Sequence, residues 1–115
     1  MNQVDIAPPA RQHDRVRARL RVGYGVGSID RQSYAESISE GGLCINTNDV
    51  LKVGTRLIVR IEFPERAVCH RAEVTWAIHV PEHLRDQMVY GMGLTFIDPD
   101  PQWPEFFRRW MSNEP

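Results

Sequence analysis

The sequence contains one lysine among its 14 basic residues, two cysteines, and no long run of apolar residues. The lysine, Lys52, follows no glycine-rich strand-to-helix turn, which excludes a nucleotide-binding phosphate loop. Cys44 and Cys69 allow at most one disulfide, and they indicate buried apolar side chains rather than a disulfide framework or a metal site. Because no stretch of about 18 apolar residues occurs and residues 1–10 lack a signal-peptide pattern, we expect a cytoplasmic protein that does not insert into membranes.

The length and composition indicate one soluble globular domain. The chain has 115 residues, of which 42% are apolar and 25% are charged. Its 14 basic and 15 acidic side chains give a net charge of -1, so no overall charge attracts the protein to nucleic acid or to an anionic membrane. Pro8 and Pro9 mark the end of the first segment, and we expect a flexible N-terminal tail over residues 1–10 and a single domain over residues 11–115.

Pairs of reactive side chains occur, but none has the spacing of a catalytic or metal site. Cys69 and His70 are neighbours in a strand-like run, so their side chains point to opposite faces of the strand. His79 and His83 are four residues apart, but Pro81 between them breaks the helix that would align them as metal ligands. We therefore expect no catalytic site, no metal and no cofactor, and we expect that the protein is not an enzyme.

The apolar residues recur with a period of two along most of the chain, which predicts strands. The predicted strands cover residues 17–24, 28–35, 43–46, 56–63, 67–78 and 90–97. After residue 101 the apolar residues fall on one face of a helix, at Trp103, Phe106, Phe107, Trp110 and Met111. Short strands joined by turns, without helices between them, favour an all-β antiparallel barrel or sandwich followed by a C-terminal α-helix.

An arginine-rich segment leads into the first predicted strand. With Asp14 as the only acidic residue among them, five arginines lie within eleven residues: Arg11, Arg15, Arg17, Arg19 and Arg21. The last three alternate with apolar residues, which indicates the solvated face of an edge strand. A surface for single-stranded nucleic acid would need aromatic side chains on that face. Tyr24 falls on the opposite face, so we expect no nucleic-acid partner.

A serine- and glycine-rich segment supplies a second anion-binding feature. Residues 37–42 read S-I-S-E-G-G, which predicts a turn whose hydroxyl and backbone N–H groups form a concavity that accepts anions. Arg11 and Arg15 are spaced R-x-x-x-R just ahead of the first strand. Their planar guanidinium groups could bind a phosphate ligand from the other side, each through two parallel hydrogen bonds. Together the two motifs indicate a ligand-binding site.

The chain resembles the PilZ domain family, bacterial receptors for the second messenger cyclic di-GMP, from about residue 11 to residue 110. The similar segments are R-Q-H-D-R at 11–15, S-I-S-E-G-G-L at 37–43, V-G-T at 53–55, E-V-T-W at 73–76 and Y-G-M-G-L-T-F-I at 90–97. The resemblance implies an all-β fold, a six-stranded antiparallel β-barrel of the PilZ-like split-barrel type with a C-terminal α-helix.

In that family, the arginines of R-x-x-x-R bind the phosphates and guanines of the ligand, and a (D/N)-x-S-x-x-G motif lines the facing side. The resemblance therefore assigns ligand binding to Arg11, Arg15, Ser37, Ser39 and Gly42. Ser37 departs from the family's Asp or Asn, whose oxygen accepts hydrogen bonds from guanine, so this departure predicts weaker binding. Ala10 stands where an arginine accompanies a stacked ligand dimer in some members, which favours one ligand per site.

The resemblance implies a domain that changes conformation when cyclic di-GMP binds and signals to an effector protein that the sequence does not identify. Control of bacterial motility, biofilm or surface matrix is the kind of role that the family implies. The alternative, which Ser37 keeps open, is an adaptor of the same fold that does not bind cyclic di-GMP and acts through protein contacts. Trp76 either stacks on a guanine or packs in the barrel core.

Overall fold

The computed structural model describes residues 16–113, which form six strands and one α-helix. The elements are β1 (Val16–Gly25), β2 (Arg31–Ser39), β3 (Gly42–Ile45), β4 (Arg56–Glu62), β5 (Ala67–Ile78), a 3-10 turn (Glu82–Leu84), β6 (Gly91–Ile97) and α1 (Trp103–Asn113). All neighbouring strands are antiparallel, and they close into a barrel in the order β1-β2-β3-β6-β5-β4. The predicted all-β barrel with a C-terminal helix is confirmed, and the sandwich alternative is wrong.

The second strand lies further along the chain than the sequence pattern predicts. The prediction covers residues 28–35, whereas β2 spans Arg31–Ser39. Residues 28–30 belong to the turn after β1, and the strand extends past Ala35 because Ile38 is fully buried in the barrel. The turn predicted within residues 37–42 is consequently reduced to Glu40 and Gly41.

The barrel is filled by the inward-facing apolar residues of its strands, and α1 closes one end. The predicted helical stripe is confirmed, because Trp103, Phe106, Phe107 and Trp110 are all buried. Phe63, directly after β4, packs against three of these rings, with centroid separations of 5.1–5.8 Å. These aromatic contacts join the helix to the end of the barrel where β4 stops.

An irregularity in β5 turns Trp76 to the outer side of the barrel. The pairing with β6 shifts between Val74 and Trp76, so Val74 faces the interior while Trp76 pairs with Gly93 on the outside. Trp76 is buried there with Ile78 and Val80 in a second apolar cluster, and not in the barrel core. A Cβ atom on Gly93 would overlap the Trp76 indole, so this glycine is what allows the ring to lie directly on β6.

Candidate ligand-binding site

The strand register places the start of β1, which follows the R-x-x-x-R motif in the sequence, beside the serine segment of β2. Ser37 and Ser39 lie in β2, while Arg11 and Arg15 lie outside the described residues. Val16, which follows Arg15 in the sequence, pairs with Ile38, and Arg17 pairs with Ser37. The first residues of β1 therefore run alongside the serine segment, on the strand that continues directly from the R-x-x-x-R motif.

Ser39 is 4% exposed, and its hydroxyl is used within the turn between β2 and β3. Its Oγ donates to the Gly42 carbonyl oxygen over 3.3 Å and accepts from the Gly41 N–H over 3.2 Å. Both bonds hold the backbone in its turn conformation. In this conformation the Ser39 hydroxyl points into its own turn and fixes the turn backbone beside the site.

Gly42 begins β3 where that strand approaches β6 closely. A Cβ atom at this position would overlap the carbonyl oxygen of Leu94, so only glycine allows the two backbones to lie this near each other. The turn is anchored on two further sides, because Phe96 N–H donates to the Gly41 carbonyl over 2.9 Å and Trp103 Nε1 donates to the Glu40 carbonyl over 2.7 Å. The second bond ties the turn directly to α1.

Ser37 lies on the outer side of the barrel and is half-buried. It pairs with Cys44 on β3, whose side chain packs on the outer cluster that contains Trp76. Trp76 itself is 4% exposed and is covered by this cluster, so its ring does not present a free face for a guanine in this structure. The Ser39 hydroxyl is used inside the turn, so Ser37 is the motif serine whose side chain lies on the outer surface of the barrel.

A groove of about 340 Å³ lies on the outer faces of β1 and β2, next to Asn46, the residue that follows β3. Ser37 is adjacent to it, because its pairing partner Arg17 and its neighbour Glu36 both line the groove. Its lining includes Arg17, Arg19, Tyr34, Glu36 and Asn46. Arg17 pairs with the Glu36 carboxylate over 3.5 Å, and the Arg19 guanidinium lies 4.3 Å from the centre of the Tyr34 ring. Tyr34, Glu36 and Asn46 were not predicted as site residues. The signal for Tyr34 and Glu36 is their polar character on the outer face of β2, a strand whose bounds the sequence pattern misplaces, and Asn46 carries no such signal.

The arginines of β1 are exposed, as predicted, but β1 is not the edge of an open sheet. Among the described strands, β4 pairs with residues 22–25 of β1, whereas Val16, Arg17, Leu20 and Arg21 pair with β2 alone. Tyr24 is fully buried in the barrel, as its position in the alternation predicts. An aromatic ring does reach the arginine face, however, because Tyr34 of the neighbouring strand pairs with Arg21 and stacks against Arg19.

The reactive side chains are dispersed over the described part of the fold. Cys69 is exposed and His70 is buried, which confirms that they face opposite sides of β5. His79 and His83 are both exposed. Within residues 16–113, no three His, Cys, Asp or Glu side chains are grouped so that they could hold a metal ion. The same residues contain no helix with the length and apolar character needed to cross a membrane.

Among solved structures, the fold is similar to that of the inhibitor of motility MotI/DgrA from Bacillus subtilis, with a TM-score of 0.69 and 21% sequence identity. The similarity covers 93% of this chain and 54% of that one, so the chain spans about half the length of that protein. At this identity the likeness concerns the fold. A comparison with curated protein sequences gave no significant match.

The sequence model of the PilZ domain matches residues 9–111. The matched region includes the R-x-x-x-R motif, the serine-glycine turn, the whole barrel and nearly all of α1. PilZ domains are receptor or adaptor domains and not enzymes, in agreement with the expectation from the spacing of the reactive residues. Barrel topology, terminal helix and sequence match agree, and this chain belongs to the PilZ domain family.

Proposed function

We propose that this protein is a cytoplasmic bacterial receptor for cyclic di-GMP that binds the ligand through Arg11, Arg15, Ser37, Ser39 and Gly42. The observation that carries the proposal is the register of β1 and β2. Val16 pairs with Ile38, so the strand that continues from the two arginines runs beside the two serines. The family match over residues 9–111 spans both halves of this site.

The two halves have different tasks in the proposed site. Guanidinium groups bind phosphate by charge-assisted hydrogen bonds, each contributing about 1.5–3 kcal/mol, so Arg11 and Arg15 supply most of the affinity. The turn at Glu40 and Gly41 supplies a fixed backbone, because it is bonded to β6 and to α1. A ligand held by Arg11 and Arg15 against this fixed side changes the surface offered to an effector protein.

The test is isothermal titration calorimetry of cyclic di-GMP into the purified protein, with cyclic di-AMP and GTP as control ligands. We expect saturable binding of cyclic di-GMP, with one ligand per site. The variant Arg15→Ala should lose this binding. Arg60→Ala is the matched control, because Arg60 is an exposed arginine on β4, and this variant should bind as the wild type does.

Two observations favour the alternative of an adaptor that does not bind the ligand. Position 37 carries a short uncharged side chain, and the Ser39 hydroxyl is engaged inside the turn. Absence of heat and of a thermal shift at high concentrations of cyclic di-GMP would refute the receptor proposal and support this alternative. Arg11→Ala and Arg15→Ala would then leave the cellular effect of the protein unchanged.

A further inference from the structure

A bulge in β2 places two consecutive side chains on the outer side of the barrel. Ala35 and Ile38 are fully buried in the core and pair with Ile45 and Leu43 on β3. The register passes from the Ala35 pair directly to the pairing of Ser37 with Cys44, so that Glu36 is the extra residue of the bulge. Strict alternation would put residue 37 inside. The bulge instead keeps both Glu36 and Ser37 outside.

The Glu36 carboxylate lies in the groove beside Ser37. Its side chain is half exposed, and its Oε2 lies 3.5 Å from Nη1 of Arg17. Glu36 and Asn46 also line a second groove of about 350 Å³, formed mainly by residues 85–90, so both residues border the two grooves. The Arg19 guanidinium, stacked on Tyr34, forms a flat wall of the first groove on which a base can stack.

We propose that Glu36 determines guanine specificity in this site, supplying from position 36 the acceptor oxygen that Ser37 does not carry. This inference rests on the proposed function as a cyclic di-GMP receptor. Guanine presents two adjacent donors on its Watson–Crick edge, the ring N1–H and the 2-amino group, and an ionised carboxylate presents two acceptors that match them. Adenine has an acceptor at N1, which a carboxylate repels. The Glu36 side chain therefore selects guanine over adenine.

The experiment compares wild type, Glu36→Gln and the matched control Glu62→Gln, an exposed glutamate on β4, by isothermal titration with cyclic di-GMP. The amide keeps the shape of the side chain but replaces one acceptor by a donor. We expect Glu36→Gln to weaken binding about 10- to 100-fold, the factor for one charge-assisted hydrogen bond. Glu62→Gln should bind as the wild type does. Adding Ser37→Asp to Glu36→Gln should restore most of the lost affinity.

A second ligand separates guanine recognition from a merely structural role of the Arg17–Glu36 pair. Cyclic di-IMP lacks the 2-amino group, so the wild type should bind it more weakly than cyclic di-GMP, and Glu36→Gln should reduce this difference. Equal weakening of both ligands by Glu36→Gln would overturn the inference. Unchanged binding by Glu36→Gln, together with loss of binding by Arg15→Ala, would overturn it and leave the receptor function standing. A wild type that does not bind cyclic di-GMP would overturn both.

Discussion

Acid should destabilise this fold through His70, an ionisable side chain buried where β5 meets α1. The imidazole is 4% exposed and lies 4.2 Å from the Phe96 ring and 4.5 Å from the Trp103 ring, measured between centroids. Within residues 16–113, its Nε2 atom has no hydrogen-bond partner. Burial lowers the pKa of His70 from 6.5 to about 4, against a smaller opposing effect of the Asp100 carboxylate.

The magnitude follows from the difference in pKa between the folded and unfolded chains. Between pH 6.5 and pH 4 the unfolded chain binds a proton at His70 that the folded chain does not bind, so the free energy of unfolding falls as the pH falls. Above pH 6.5 the His70 imidazole is neutral in both the folded and the unfolded chain, so it does not make the free energy of unfolding depend on pH. One pKa unit corresponds to about 1.4 kcal/mol, and the expected loss between pH 7 and pH 4 is therefore about 3 kcal/mol.

Urea unfolding at a series of pH values between 7.5 and 4 measures this loss. The variant His70→Phe keeps an aromatic ring between Phe96 and Trp103 but cannot bind a proton. Its free energy of unfolding should fall by about 3 kcal/mol less than that of the wild type over this range. His79→Gln, at an exposed position, is the control for loss of one histidine. Identical pH dependence in His70→Phe and wild type would show that burial of this imidazole does not couple to folding.

Three further predictions concern the outer face and the turn. Gly93→Ala brings a methyl group into the Trp76 indole and should lower the free energy of unfolding by about 1–3 kcal/mol; an unchanged melting temperature would contradict the close contact. Trp103→Phe keeps the aromatic packing but removes the donor to the Glu40 carbonyl, and urea titration should show a loss of about 1–3 kcal/mol. Ser37→Asp and Ser37→Asn should each tighten cyclic di-GMP binding in calorimetry, and failure of both would refute the role given to this position.

The strands with strict alternation could be predicted almost to the residue. The prediction 67–78 coincides with β5, and the prediction 56–63 exceeds β4 by one residue. Alternation is informative along β4 and along β5 as far as Val74, because there one face lies in the barrel and the other points outward. The helix was equally predictable, since its apolar residues all pack on one end of the barrel.

The site was less predictable because it depends on irregular pairing. Along β2 the bulge at Glu36 breaks the period of two, and a sequence pattern that assumes regular alternation ends the strand at Ala35. The same effect in β5 turns Trp76 outward, whereas alternation from Val74 would put it in the core. The groove combines Tyr34, Asn46 and the first residues of β1, and only the register of three strands brings them together.

The motif residues of the described chain divide into those that shape the backbone and those that face outward. Ser39 bonds within the turn, and Gly42 allows β3 to approach β6, so substitutions of either residue act first on the turn and through it on α1. Loss of ligand binding in such variants would therefore not identify a ligand contact. Ser37 and Glu36 point away from the core, so a substitution of either residue leaves the hydrogen bonds of the turn in place. If the protein binds cyclic di-GMP as proposed, discrimination between guanine and adenine must for this reason be sought at the bulge, where a change of side chain alters the chemistry of the groove without altering the backbone that supports it.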